Sequence, residues 1–142
     1  MTKRFSVSLL VVIFLLSFSI GTTDLFSKEK VGEEISERLE TPHPYAGKKG
    51  LIWEKEFKYP GAGYIALHFT SFDLAAGDYV EISNPAGDIY YTYKGKGKKV
   101  SSGETISTFW ATHIPGDTAI VRLIGKNHKS GNGFVIDKWV RG

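Results

Sequence analysis

The chain has 142 residues, 42% of them hydrophobic and 23% charged, which suits one globular domain rather than two. Its formal charge is +3, but Lys3 and Arg4 fall in a segment with the marks of a signal peptide; 18 basic residues less these two leave 16 against 15 acidic, a balance that calls for no nucleic-acid partner. Cysteine is absent, which excludes a disulfide framework, a thiolate zinc site, cysteine catalysis and a lipid anchor on an N-terminal cysteine.

The basic start Met1 to Arg4 leads into an apolar stretch, Phe5 to Ile20, whose uninterrupted centre is Leu9 to Leu16. Serines at 6, 8, 17 and 19 break it, and it is shorter than the roughly 18 apolar residues of a spanning helix. The pattern predicts a cleaved signal peptide over 1–21, with the small residues Ser19 and Gly21 setting the cut, and hence a secreted or periplasmic protein without a stable membrane anchor. Thr22 to Glu40 is rich in Lys and Glu, and only Ile35 and Leu39 fall at helical spacing; residues 22–40 read as a charged linker with one short helix at most.

From Thr41 the texture changes to short β-prone runs divided by Gly, Pro, Asn and Asp. The runs are Leu51 to Tyr59, Tyr64 to Phe69, Tyr79 to Ser83, Ile89 to Tyr93, Thr105 to Trp110, Ala119 to Ile124 and Gly133 to Val140. Alternation points Ile65, Leu67 and Phe69, then Val80 and Ile82, then Ala119, Val121 and Leu123 at the core. Seven to eight strands at this spacing predict an all-β, antiparallel two-layer sandwich over 41–142. Turn signals at Pro60-Gly61, Ala76-Gly77-Asp78, Asn84 to Asp88, Pro115-Gly116-Asp117 and Gly131-Asn132-Gly133 fall between the runs. Trp53, Trp110 and Trp139 lie inside runs and read as core filler.

No catalytic constellation emerges. The histidines are His43, His68, His113 and His128, none of them in a nucleophile motif, and no H-E-x-x-H, G-x-S-x-G, P-loop or EF-hand pattern is present. Lys94 to Lys99 holds four lysines in six residues and reads as a solvated hairpin tip, with an acidic glycan or phospholipid surface as the alternative.

The stretch YIALHFTSFDLAAGDYVEIS from Tyr64, with IVRLIGKNHKSGNGFVIDKW from Ile120 and TPHPY at Thr41 to Tyr45, resembles the CUB domain family. The resemblance implies a jelly-roll-type sandwich. Family members often bind calcium at one edge; of the acidic positions only Asp78 has a match, Ala75 and Ala76 occupy the first loop, and Lys126 stands at the third position. Such a cation wants six to eight oxygens, so no metal or other cofactor is expected. The same edge singles out the loops Phe72 to Asp78 and Lys126 to Asn132, and within them Asp73, Asp78, Asn127 and His128 as candidate binding residues. FWATHIPGDTAIVRL from Phe109 and GFVIDKWVRG from Gly133 are also similar to an N-terminal β domain that precedes the catalytic domain in some exported bacterial trypsin-like serine proteases. The expectation is a secreted, non-catalytic accessory module with a protein or glycan ligand, associated with a protease domain this chain does not contain; a carbohydrate-binding module is the alternative. An exposed strip formed by Tyr90, Tyr91, Tyr93 or Trp139 would favour sugar, and a deep pocket joining His113 to a carboxylate would favour an enzyme.

Overall fold

The computed structural model describes residues 32–142, so the segment expected to be a signal peptide and the first part of the expected linker lie outside the described residues. The strands are β1 (Glu33–Glu40), β2 (Gly50–Lys58), β3 (Tyr64–Asp73), β4 (Tyr79–Ser83), β5 (Tyr90–Lys94), β6 (Lys98–Lys99), β7 (Thr105–Ile106), β8 (Phe109–Trp110), β9 (Ile114–Pro115), β10 (Thr118–Gly125) and β11 (Gly133–Arg141). They form an antiparallel β-sandwich. The first sheet runs β1-β11-β3-β8, with β9 sharing the β8 edge of β3; the second runs β2-β10-β4-β5; β6 and β7 make a small hairpin.

The alternation read from the sequence is the alternation of the core: Ile65, Leu67, Phe69, Val80, Ile82, Ala119, Val121 and Leu123 are all buried. Edge-on aromatic contacts join the two sheets, with Phe57 of β2 against Trp139 of β11 at 5.8 Å and Trp53 against Phe134 at 5.2 Å between ring centroids.

Two parts of the sequence reading change. The linker becomes a strand from Glu33 onward: β1 pairs antiparallel with β11, Ile35 opposite Trp139 and Leu39 opposite Ile136. A spacing of four suits a helix face, yet it is also even, so both side chains share one face of a strand and reach the core. The charged residues between them are employed as well, Glu37 accepting a hydrogen bond from Trp139 Nε1 at 2.9 Å. The single run Thr105 to Trp110 is two strands, because the chain leaves the β6–β7 hairpin at Ser107 and joins β3 at Phe109. Thr108 Oγ1 fixes that step by donating to the Thr70 carbonyl at 2.9 Å.

Phe134 is fully buried and packs on Trp53, Phe69 and Phe72. Phe134→Ala is expected to destabilise the domain by about 3–5 kcal/mol, read as a lower urea midpoint at unchanged slope; a loss under 1 kcal/mol would show that the two sheets do not depend on this cluster.

Candidate functional site

The outer face of the first sheet carries the most complete site. Reading across the sheet, one row is Ser36, Lys138, His68 and Trp110, the next is Glu34, Val140 and Ala66, and a third brings Tyr64 beside Pro115. Small side chains in the middle row leave a groove between aromatic walls. It has a volume of about 590 Å3 and is lined by Tyr64, Ala66, Lys98, Trp110, Thr112, His113 and Val140, among others. His68 lies four strand positions from Tyr64, so the walls stand about 13 Å apart along the strand.

Trp110 is 37% exposed, which corrects its reading as core filler. It belongs to a two-residue strand in which Phe109 points inward, so alternation turns the indole outward. Its position is held from several sides. The His68 ring lies against it at 4.8 Å, Lys138 Nζ stands 5.7 Å from its ring centroid, and Lys98 Nζ donates to its carbonyl at 3.2 Å. His68 is itself oriented, its Nδ1 donating to Asp137 Oδ1 at 2.6 Å, while Lys138 pairs with Glu34 at 3.2 Å. On the far wall Tyr64 and His113 pack ring to ring at 5.4 Å.

The rim is fixed from inside the sandwich. Tyr93, 8% exposed, accepts a hydrogen bond from Thr112 N at 2.8 Å and donates to Thr112 Oγ1 at 3.3 Å, while Ala111 N donates to the Leu67 carbonyl at 2.9 Å. The aromatics considered as a strip do not form one: Tyr93 and Trp139 are buried, the exposed Tyr90 lies on the outer face of the second sheet, and Tyr91, exposed too, alternates to the opposite face of β5. His113 lies in a shallow groove whose lining includes no carboxylate among the described residues.

The loops singled out by the CUB resemblance do meet at one end of the sandwich, where most of their candidate residues serve as scaffold. Asp78 is fully buried, with Oδ2 accepting from Tyr45 OH at 2.7 Å and Oδ1 from Lys126 N at 2.8 Å. Tyr45 OH in turn accepts from Ala75 N at 2.8 Å. Asn127 Nδ2 donates to the Ala76 carbonyl at 2.8 Å, and Asp73 accepts from Asn132 Nδ2 at 2.7 Å. His128 is exposed. This donor set does not fit a calcium cradle, since both oxygens of the buried carboxylate are engaged by protein donors and Lys126 adjoins it.

The sequence reading missed the Trp110 groove. His68 lies on the face of its run opposite Leu67 and Phe69, but Trp110 reads as core filler, and the meeting of the two depends on the β3–β8 pairing, which no local pattern announces. No known protein family matches the chain, and no curated protein matches it.

Burial pushes the Tyr45 phenol up to about 12, with the Asp78 hydrogen bond and charge adding to the shift and the Ala75 N–H opposing it. The fold holds the neutral phenol, so this stabilisation is complete below pH 10.0 and is lost as pH rises from there to about 12. Unfolding free energies across that window should fall for the wild type and fall less for Tyr45→Phe. At neutral pH Tyr45→Phe should be less stable by about 1–3 kcal/mol, because Asp78 and Ala75 N each lose a buried partner.

Proposed function

We propose that the chain is an exported, non-catalytic binding module of the CUB-like kind and that its ligand is a carbohydrate seated against Trp110. The observation that carries this reading is the indole itself: a large ring, partly exposed on a sheet face, held by His68, Lys138 and Lys98 beside a floor of small side chains. Sugar rings present C–H faces that pack on an indole and hydroxyls that need donors and acceptors close by. Thr112, His113, Tyr64 and Lys98 stand around the groove to supply them. A pre-ordered platform also reduces the entropy lost on binding.

Export rests on the N-terminal pattern of residues 1–21, and the non-catalytic reading on the sequence placing no histidine in a nucleophile motif. Thr112, a hydroxyl-bearing residue of the groove lining, is already engaged by Tyr93. An accessory role beside a trypsin-like protease rests on the resemblance of Phe109 to Leu123 and Gly133 to Gly142. In that setting the module would hold the enzyme at a glycan-bearing surface.

Native gel electrophoresis through embedded polysaccharides, followed by calorimetry with the responding oligosaccharide, tests the proposal. Trp110→Ala should weaken binding about tenfold, the equivalent of roughly 1.4 kcal/mol, at an unchanged melting temperature, while Tyr90→Ala on the other sheet should bind as wild type. Retardation by no polysaccharide, or equal binding by Trp110→Ala, would sink the carbohydrate reading.

A further inference from the structure

The groove beside Trp110 does not end at Lys98. That lysine also lines a second concavity, of about 610 Å3, whose wall carries Lys94, Lys96, Lys99 and Thr105. Among the described residues Lys94 and Lys99 make no ion pair, and Lys96 reaches Asp73 only at 3.9 Å. The acidic groups closest to this wall along the chain are the exposed Asp88 and the exposed Glu104 on the turn preceding β7, and Glu81 lines a neighbouring concavity with Lys94. Lysines gathered around one concavity repel one another and gain from any anion that enters.

The loop is built rather than slack. Gly95 O accepts from Leu74 N at 2.8 Å, which ties the turn to the end of β3. Gly97 has φ +132, and a Cβ there would come within 2.0 Å of the Ile106 carbonyl, so the β6–β7 hairpin closes only around glycine. A solubilising tip needs no such anchoring. Here it keeps the lysines along one wall, continuous with the aromatic groove.

Resting on the carbohydrate reading above, we infer that the ligand is an acidic polysaccharide: one sugar packs on Trp110, and the carboxylates or sulfates of the following units pass Lys98 into the lysine-lined concavity. A concave, elongated site suits a chain. An anionic bilayer would call instead for lysines around a protruding apolar tip, and the near-balance of basic and acidic residues after the signal peptide argues against a nucleic acid.

The test uses immobilised polygalacturonate, alginate and heparin, each beside a form with its acid groups neutralised, and soluble protein covering residues 22–142. Wild type is expected to bind at least one acidic polymer roughly tenfold more tightly than its neutralised form and to lose that preference between about 50 and about 500 mM salt. The triple variant Lys94→Ser, Lys96→Ser, Lys99→Ser should lose the preference while keeping its Trp110-dependent binding to the neutralised polymer. Should the variant fail to fold, the salt titration of the wild type decides alone. Equal, Trp110-dependent binding of acidic and neutralised forms overturns this inference and leaves the carbohydrate reading standing. Binding to neither removes both, and retention only on phosphatidylserine vesicles or on oligothymidylate assigns the lysines to another class of polyanion and overturns it as well.

Discussion

The pairing of β3 with β11 is the constraint on which the rest of the molecule depends. Its register slips twice, in opposite senses: Thr70 is an extra residue on β3 between the pairs Ile136–Phe69 and Val135–Ser71, and Asp137 is an extra residue on β11 between Ile136–Phe69 and Lys138–His68. Each bulge lets two residues an odd number apart face the same way. So Phe69 and Phe72 both point inward on one strand, as do Ile136 and Trp139 on the other. Without them strict alternation would turn Phe72 and Trp139 to solvent. The same bulge sets Asp137 where its carboxylate meets His68 on the outer face.

From that pair the two sides of the first sheet take different roles. Its inner face closes an aromatic core with the second sheet, and Tyr93 reaches through that core to clamp the Thr112 rim. Its outer face receives Trp110 against His68. A change in packing inside the sandwich would therefore be felt at the groove through three hydrogen bonds, two between Tyr93 and Thr112 and one from Ala111 N to the Leu67 carbonyl. The end of the sandwich around Asp78 is different in kind. There a buried carboxylate accepts from a phenol and a main-chain amide, and this network joins the loops 73–78 and 126–132 to the segment at Tyr45.

How much of this was legible beforehand follows from which interactions are local. Strand alternation and turn chemistry are local, and they placed β4 to the residue and every core position they named. β1 was hidden because its code is sparse: two apolar residues among four glutamates, a serine and an arginine bury one face only because β11 is there to receive them. β6 lies in a run of lysines and glycines with no β propensity, and it forms because Gly97 admits the Ile106 carbonyl. Asp78 was legible as a special residue, while its partners Tyr45 and Lys126, 33 and 48 positions away, were not. The groove is the extreme case, since Tyr64, Trp110, His113 and Val140 come from separate strands and loops, and only the sheet order gathers them.

Magnitudes indicate why such a site would combine a ring with a row of charges. An aromatic contact adds about 0.5–1.5 kcal/mol beyond the area it buries, and an exposed ion pair about 0.2–1 kcal/mol that salt removes. Neither alone approaches the roughly 8 kcal/mol of a micromolar complex. Stacking without charge would hold many sugars weakly, and charge without stacking would hold any polyanion non-specifically. Joined through Lys98, the two surfaces would bind one chain at several points under the proposed function, the second contact forming at the effective concentration set by the first. The rigid loop matters for that coupling, because lysines free to move would surrender to ordering much of what each pair contributes. On the proposed reading, the anchoring of Gly95 to β3 and the close approach at Gly97 would serve the binding surface as much as they serve the fold.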